Sequence, residues 1–353
     1  MTQQTNQIVM QQTPSAVRLR ELFSTTRLPV MAAPMFLVSS PELVIASSQS
    51  GIVGTYAAPN ARSVEALDEA LGVIAAGVAR VGTTPWALNM IVHSSYDRFD
   101  AELELVLRYR PQVVTTALGS PRRVLEHVHG YGGFVMADVS TPAMARKAVE
   151  AGVDGLILVC TGAGGHTGMY SPFSFVEEVR HFWSGPLGLA GAISTGAHAR
   201  AAQQIGADFA VLGTRFIAAE ESMAQPGYRE MLVASKMEDL VASKAVSGVL
   251  ANWLRPTLER AGISAAQLGE EKKIDFSGDI STAPKAWKDV WSAGHGVGAV
   301  MAVEPLSAIV DRLSQEYEAC LLSERDAIER LSRQVADWKG AGVPTSNITG
   351  AMQ

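Results

Sequence analysis

Short apolar runs alternate with stretches of helical periodicity through the first two thirds of the chain. The predicted strands are residues 28–35, 52–55, 86–92, 113–117, 133–139, 154–159, 187–190 and 209–212. The predicted helices between them are residues 41–50, 63–79, 99–109, 121–128, 142–151, 172–183 and 197–205. Parallel βα units of about 25 residues have this pattern. Because there are eight such units, we expect a closed (β/α)8 TIM barrel of the α/β class rather than an open sheet.

The pattern breaks after the eighth predicted strand. We therefore divide the chain into five parts. They are a disordered tail (residues 1–14), the barrel (15–219), a mostly helical inserted lobe (220–300), a last barrel helix with an amphipathic extension (301–338) and a loose tail (339–353). Within the lobe we expect helices at residues 228–234 and 253–261. In the fourth part, apolar residues recur at helical spacing over residues 305–322 and 326–338, which predicts two helices.

Composition excludes several classes of protein. The chain has 353 residues, of which 47% are hydrophobic and 18% charged, with a net charge of −6. It has no basic cluster that would bind nucleic acid or a membrane surface. Its start, residues 1–14, is rich in Gln and Thr and has no apolar core segment, so we expect no signal peptide there. No uninterrupted apolar run approaches the length of a membrane span. Two cysteines provide neither a disulfide framework nor a metal cluster. We expect a cytoplasmic protein that binds a small molecule and no metal.

The loop after the sixth predicted strand carries the clearest candidate chemistry. Residues 161–168 contain four glycines and one histidine, His166. Glycine permits positive φ and a close approach of backbone to ligand, and histidine exchanges protons near neutral pH. Loops at the carboxyl ends of parallel strands form active sites in such folds. An ordinary glycine turn with a structural histidine is the alternative, and this loop alone does not decide between the two.

Two later loops predict a phosphate site. Residues 190–196 follow the seventh predicted strand, and residues 213–216 follow the eighth. In (β/α)8 barrels these two loops commonly bind phosphate, because backbone N–H groups and Ser or Thr hydroxyls converge on its oxygens. Two ordinary tight turns are the alternative interpretation.

Asn89 is a polar residue inside the apolar third predicted strand. A buried amide must find hydrogen-bond partners. The polar edge of a flavin or a sugar could supply them, and so could a neighbouring loop; both interpretations stay open. Elsewhere no lysine ends a predicted strand, which disfavours a Schiff-base aldolase.

Taken together, these motifs resemble the nitronate monooxygenase family, also called 2-nitropropane dioxygenases. The resemblance extends from about residue 28 to about residue 320. It rests on Ala33-Pro34-Met35, Asn89, residues 162–168, Gly191 with Gly196, residues 213–216 and residues 291–298.

This resemblance implies FMN at the carboxyl-terminal mouth of a TIM barrel, with His166 as the catalytic residue beside the flavin. The resemblance also implies that the flavin is bound by the following residues of this chain: Ala33, Pro34, Met35, Asn89, Asp138, Gly164, Gly165, Ala190, Gly191, Ala192, Gly213 and Thr214. The chain departs from the family pattern at Asp138, where many relatives have lysine, and at His295, where glutamine is frequent. Both departures leave the subfamily and the substrate open.

The expected reaction is oxidation of alkyl nitronates by dioxygen to carbonyl compounds and nitrite. His166 would either stabilise the anion or remove a proton from a neutral nitroalkane. Met35, Phe173 and the inserted lobe are expected to form apolar walls.

Two alternatives remain: an NAD(P)H-dependent flavin reductase of an enoyl thioester or a quinone, and a phosphate-binding barrel without redox chemistry. The sequence leaves open whether the protein forms a homodimer.

Overall fold

The structure is a computed structural model that describes residues 14–80, 82, 84–263 and 287–340. Eight parallel strands form a barrel: β1 (Val30–Ala32), β2 (Gly54–Ala57), β3 (Trp86–Ile91), β4 (Val113–Ala117), β5 (Phe134–Val139), β6 (Gly155–Val159), β8 (Leu187–Ala190) and β9 (Phe209–Leu212), with β7 (Gly165–His166) outside it. Their hydrogen-bonded order is β1-β9-β8-β6-β5-β4-β3-β2. A parallel bridge between Met31 and Val53 joins β1 to β2. The prediction of a TIM barrel is therefore confirmed.

Helices connect the strands and cover the outside of the barrel. Ser63, Thr141 and Thr195 each cap a helix, because their side chains accept a backbone N–H from its first turn. Ser171 occupies the predicted cap position but makes no side-chain cap hydrogen bond. The helices are α1 (Pro14–Ser24), α2 (Pro41–Gln49), α3 (Val64–Ala79), α4 (Phe99–Tyr109), α5 (Arg122–Gly130), α6 (Pro142–Ala151), α7 (Pro172–Arg180), α8 (Gly196–Gln204), α9 (Thr214–Ile217), α10 (Pro226–Ala234), α11 (Arg255–Arg260) and α12 (Leu306–Gly340).

The interior of the barrel is filled by alternate residues of its strands. Side chains of a strand alternate between its two faces, so one series points inward and the other packs against the helices. The inward series includes Phe134 and Met136 of β5 and Phe209 of β9. Helix α1 closes the amino-terminal end, where the rings of Phe23 and Phe209 stack with centroids 3.7 Å apart. With this end filled, the space for a ligand lies at the opposite, carboxyl-terminal end.

The lobe after β9 contains an antiparallel sheet that the sequence did not predict. Strands β10 (Leu240–Ser243) and β11 (Ala251–Leu254) pair with each other, and β11 also pairs with β7. The helix predicted at residues 253–261 is wrong at its start, because Trp253 and Leu254 lie in β11. Its remainder corresponds to α11. Trp253 is fully buried and contacts Trp287, so packing outweighs the helical pattern here.

The last helix is longer than predicted. Helix α12 is continuous over 35 residues, so the break predicted between residues 322 and 326 is wrong. The sequence Ser-Glu-Arg at residues 323–325 contains no helix breaker. The predicted tails fall outside the described residues, except for residue 14 in α1 and residues 339–340 in α12.

Within the described ranges, no helix combines the length and the apolar character that crossing a membrane requires.

Candidate active site

A cavity of about 780 Å³ opens at the carboxyl-terminal mouth of the barrel. Sites for small molecules commonly have volumes of about 300–1,000 Å³. Inward-facing residues at the strand ends form its floor, and the lobe contributes Tyr228, Val246, Ser247, Val249, Trp287, Trp291 and Ser292. The lobe therefore covers part of the mouth.

The structure brings the predicted catalytic residue and all the predicted flavin-binding residues to this one cavity. These residues are Ala33, Pro34, Met35, Asn89, Asp138, Gly164, Gly165, His166, Ala190, Gly191, Ala192, Gly213 and Thr214. Because they come from the ends of β1, β3, β5, β6, β8 and β9, closure of the barrel is what places them together. Their roles in binding and catalysis stay predictions.

His166 is held in place by the lobe. In the pairing of β7 with β11, His166 lies opposite Ala251 and Gly165 opposite Asn252. The amide of Asn252 also donates a hydrogen bond of 2.8 Å to the carbonyl oxygen of Ala163. Just after β7, the N–H of Thr167 donates to the carbonyl oxygen of Leu250. The glycine-rich loop is thus fixed by backbone pairing and one buried amide.

The imidazole of His166 borders the cavity and lies edge-on to Trp287, with ring centroids 5.5 Å apart. The surface of its side chain is exposed because it faces this space. Protein atoms nevertheless surround the ring, and this desolvation lowers the pKa of His166. His166 is therefore neutral at pH 7 and can either accept a proton or donate one N–H.

The glycines of this loop are required where three loops meet. A Cβ on Gly164 would lie 2.8 Å from the backbone nitrogen of Gly294, and a Cβ on Gly162 would lie 2.9 Å from the ring of His295. The hydroxyl of Thr214 accepts a hydrogen bond of 2.8 Å from that same Gly294 nitrogen. Close packing of the β6, β9 and 291–298 loops thus explains these glycines without any ligand.

The loops after β8 and β9 both line the cavity. Gly191 has φ +127° and Ala192 has φ +56°, a conformation that favours glycine. The first N–H of α8, on Gly196, donates to a carboxylate oxygen of Glu316 at 2.7 Å. Because the Glu316 carboxylate already accepts this N–H, we do not assign phosphate to the start of α8. The candidate phosphate contacts are the turn at residues 191–192 and the start of α9.

Arg215 follows Thr214 but does not serve the cavity. Its side chain is buried and forms an ion pair with Glu304 at 3.2 Å. Burial lowers the pKa of Arg215, which the neighbouring Glu304 opposes. Arg215 therefore anchors the β9 loop to the segment before α12.

The hydrogen-bond partner of Asn89 lies on a neighbouring strand. Its amide nitrogen donates a hydrogen bond of 2.9 Å to the hydroxyl of Thr115, which lies opposite it on β4. Its side chain also lines the cavity. The partner is thus a neighbouring strand rather than a loop, and the residue still borders the ligand space.

Sequence reasoning assigned one wall wrongly and missed others. Phe173 is not among the residues that line the cavity, and 68% of its surface is exposed. It lies at the start of α7, where it faces outward. Met35 does line the cavity, as expected. Tyr228 also lines the cavity and was missed, while Trp291 belongs to segment 291–298, which the resemblance included without a role.

Residues 80–316 match the family model described as nitronate monooxygenase. A nitronate monooxygenase of Paraburkholderia phytofirmans is 26% identical over 337 residues, covering 82% of this chain and 92% of that protein.

Two solved structures share the fold. The nitroalkane oxidase of Streptomyces ansochromogenes superposes with a TM-score of 0.73 at 22% identity, covering 86% of this chain and 99% of that one. FabK of Thermotoga maritima superposes with a TM-score of 0.72 at 23% identity, covering 88% and 98%. The resemblance inferred from the motifs is confirmed by the family match, which spans more than half of the chain: the chain belongs to the nitronate monooxygenase family and is an oxidoreductase.

Proposed function

We propose that this protein binds FMN at the mouth of the barrel and oxidises alkyl nitronates with dioxygen to carbonyl compounds and nitrite. The supporting observation is that His166, clamped by β11, borders the same cavity as the loops after β8 and β9. Membership of the nitronate monooxygenase family supports the substrate class. When bound, FMN would supply the electron transfer that side chains cannot provide.

The residues around the cavity fit such a cofactor. Few polar side chains, among them Asn89 and Thr214, interrupt walls that are mainly apolar, as a flat ring with one polar edge requires. A Cβ on Gly213 would approach nothing closer than 3.5 Å, so the backbone here is not crowded. In this proposal the phosphate contacts the backbone at residues 191–192 and 213–214, and the ring lies toward Asn89 and Met35.

His166 then acts on the substrate as a neutral imidazole. With its pKa lowered by burial, it can remove the proton from the carbon of a neutral nitroalkane. It can also donate one N–H to an oxygen of a nitronate and stabilise its charge. The apolar side chains of Met35, Trp287 and Trp291 border the same space and would keep water from competing for these hydrogen bonds.

One spectrum and one mixing experiment test the proposal. The purified protein should be yellow, and the released cofactor should have the mass of FMN. Anaerobic mixing with the nitronate of 2-nitropropane should change the absorption spectrum of the oxidised flavin. Admission of dioxygen should restore that spectrum, and nitrite and acetone should be found among the products of the complete cycle. A colourless protein that cannot be reconstituted contradicts the cofactor. Bleaching by NADH but not by nitronate contradicts the reaction and favours the reductase alternative.

A further inference from the structure

The carboxyl group of Asp138 occupies an unusual place in the cavity wall. Phe134, Met136 and Asp138 are alternate residues of β5, and the first two fill the barrel interior. Asp138 continues this inward series at the carboxyl end of the strand and lines the cavity. The strand fixes its direction: β5 pairs with β4 on one side, and Asp138 lies opposite Ile157 of β6 on the other.

No group in the described part of the chain offsets the desolvation of this carboxyl group with a hydrogen bond to its Oδ1 atom. Its Oδ1 atom is buried and has no hydrogen-bond partner among those residues. Ala137 lies opposite Thr116 of β4, and the Thr116 hydroxyl donates to the backbone oxygen of Met136 instead. From the start of α6, Met144 lines the same cavity. A buried polar atom without a partner is costly unless a ligand supplies the hydrogen bond.

The other titratable groups among the described lining residues are His166 and Tyr228. Burial lowers the pKa of His166 and raises the pKa of Tyr228 to about 12. Both shifts favour the neutral form of these groups. Burial raises the pKa of Asp138 to about 7, so the carboxyl group of Asp138 changes its charge near neutral pH.

We propose that Asp138 selects the charge of the molecule held in this cavity: as a neutral acid it donates a hydrogen bond to an oxygen of a small anion, and as a carboxylate it excludes that anion. Asp138 is one of the residues that line the cavity, so it borders the space that a ligand would occupy. If the proposed function holds, anionic nitronates are accepted best below about pH 7, and neutral nitroalkanes predominate as substrates above it. This last consequence rests on the proposed function; the selection of anions does not.

Nitrate is a suitable probe, because it is a planar oxyanion of the size of a nitro group and is not a nitronate. Calorimetry on the purified protein with its cofactor should show nitrate binding that weakens about tenfold or more from pH 6.5 to pH 8.5. In Asp138→Asn the affinity should not vary over this range, because the amide remains a neutral donor. The matched control is Asp100→Asn, which removes a carboxylate whose side chain is 96% exposed; it should behave as the wild type does.

Infrared difference spectra between the two pH values provide a second measurement that involves no ligand. The wild type and Asp100→Asn should lose the carbonyl band of a protonated carboxylic acid between pH 6.5 and pH 8.5, and Asp138→Asn should lack it at both. Three results would overturn the inference: no nitrate binding at pH 6.5, the same pH dependence in Asp138→Asn as in the wild type, or no acid band assigned to Asp138. Because nitrate binding needs no turnover, failure of nitronate oxidation leaves this test intact.

Discussion

His166 and Asp138 border the same cavity but are supported in opposite ways. His166 lies on a loop, and its position depends on pairing of β7 with β11 from the lobe. Asp138 lies within barrel strand β5, whose neighbours on both sides are barrel strands. Burial nevertheless favours the neutral form of both groups, because it lowers the pKa of the histidine and raises the pKa of the acid to about 7. Near neutral pH, burial disfavours the charged form at each site.

The two groups make opposite contributions to the pH dependence of folding. Above the ordinary pKa of a carboxyl, near pH 4, the unfolded chain loses the proton of Asp138 while the folded protein keeps it up to about pH 7. Stability therefore falls as the pH rises through this window. For His166 the folded pKa is the lower one, so stability falls as the pH drops below about 6.5.

The largest expected effect is the loss of turnover when His166 is substituted. His166→Ala should lower turnover by about 10²–10⁴-fold if the imidazole transfers a proton, while FMN stays bound because the loops after β8 and β9 are unchanged. Activity on preformed nitronate distinguishes its roles: it persists if His166 is only a base and falls if His166 stabilises the anion. The control is His127→Ala, an exposed residue on α5. Near-normal rates of His166→Ala on both substrates would remove this residue from the mechanism.

The next effect concerns stability at Asp138. Since one pKa unit corresponds to about 1.4 kcal/mol, the raised pKa represents a penalty of up to about 4 kcal/mol at pH 8. Asp138→Asn should therefore unfold at higher urea concentration than the wild type at pH 8, and at nearly the same concentration at pH 4. For the exposed Asp100→Asn we expect little change at either pH. If Asp138→Asn gains no stability at pH 8, the carboxylate is not destabilised by its surroundings.

A third prediction tests the support of His166 without touching its ring. Asn252 is buried, and Asn252→Ala leaves the carbonyl oxygen of Ala163 without its donor, which costs about 1–3 kcal/mol. We expect a lower melting temperature together with lower turnover per bound FMN. Ser63→Ala removes the cap of α3 at a similar cost of about 1 kcal/mol, but should leave turnover unchanged. Equal turnover in the two variants would show that β11 does not position the histidine.

The barrel could be predicted because it depends on local periodicity, whereas most residues of the candidate site were indicated by the family resemblance. Strand alternation and helix caps determine the eight units, and barrel closure brings their strand ends together. Alternation alone places Asn89 and Asp138 on the inner face. The antiparallel sheet of the lobe could not be predicted this way, because β7 has two residues and pairs with β11 about 85 positions later. Its existence depends on long-range packing around Trp253.

The smallest expected effect is on kcat/KM, and it compares a residue outside the cavity with one that lines it. Phe173 was expected as an apolar wall, yet its side chain faces outward, so Phe173→Ser should change kcat/KM by no more than about twofold, as exposed substitutions usually do. Met35→Ser introduces the same side chain at a half-buried residue that lines the cavity. Because a hydroxyl there replaces apolar contact with the ligand, a loss of about tenfold in kcat/KM is expected. Steady-state kinetics on nitronate, normalised to bound FMN, measure both. A loss in Phe173→Ser as large as in Met35→Ser would mean that α7 closes over the bound substrate and that Phe173 is a wall after all.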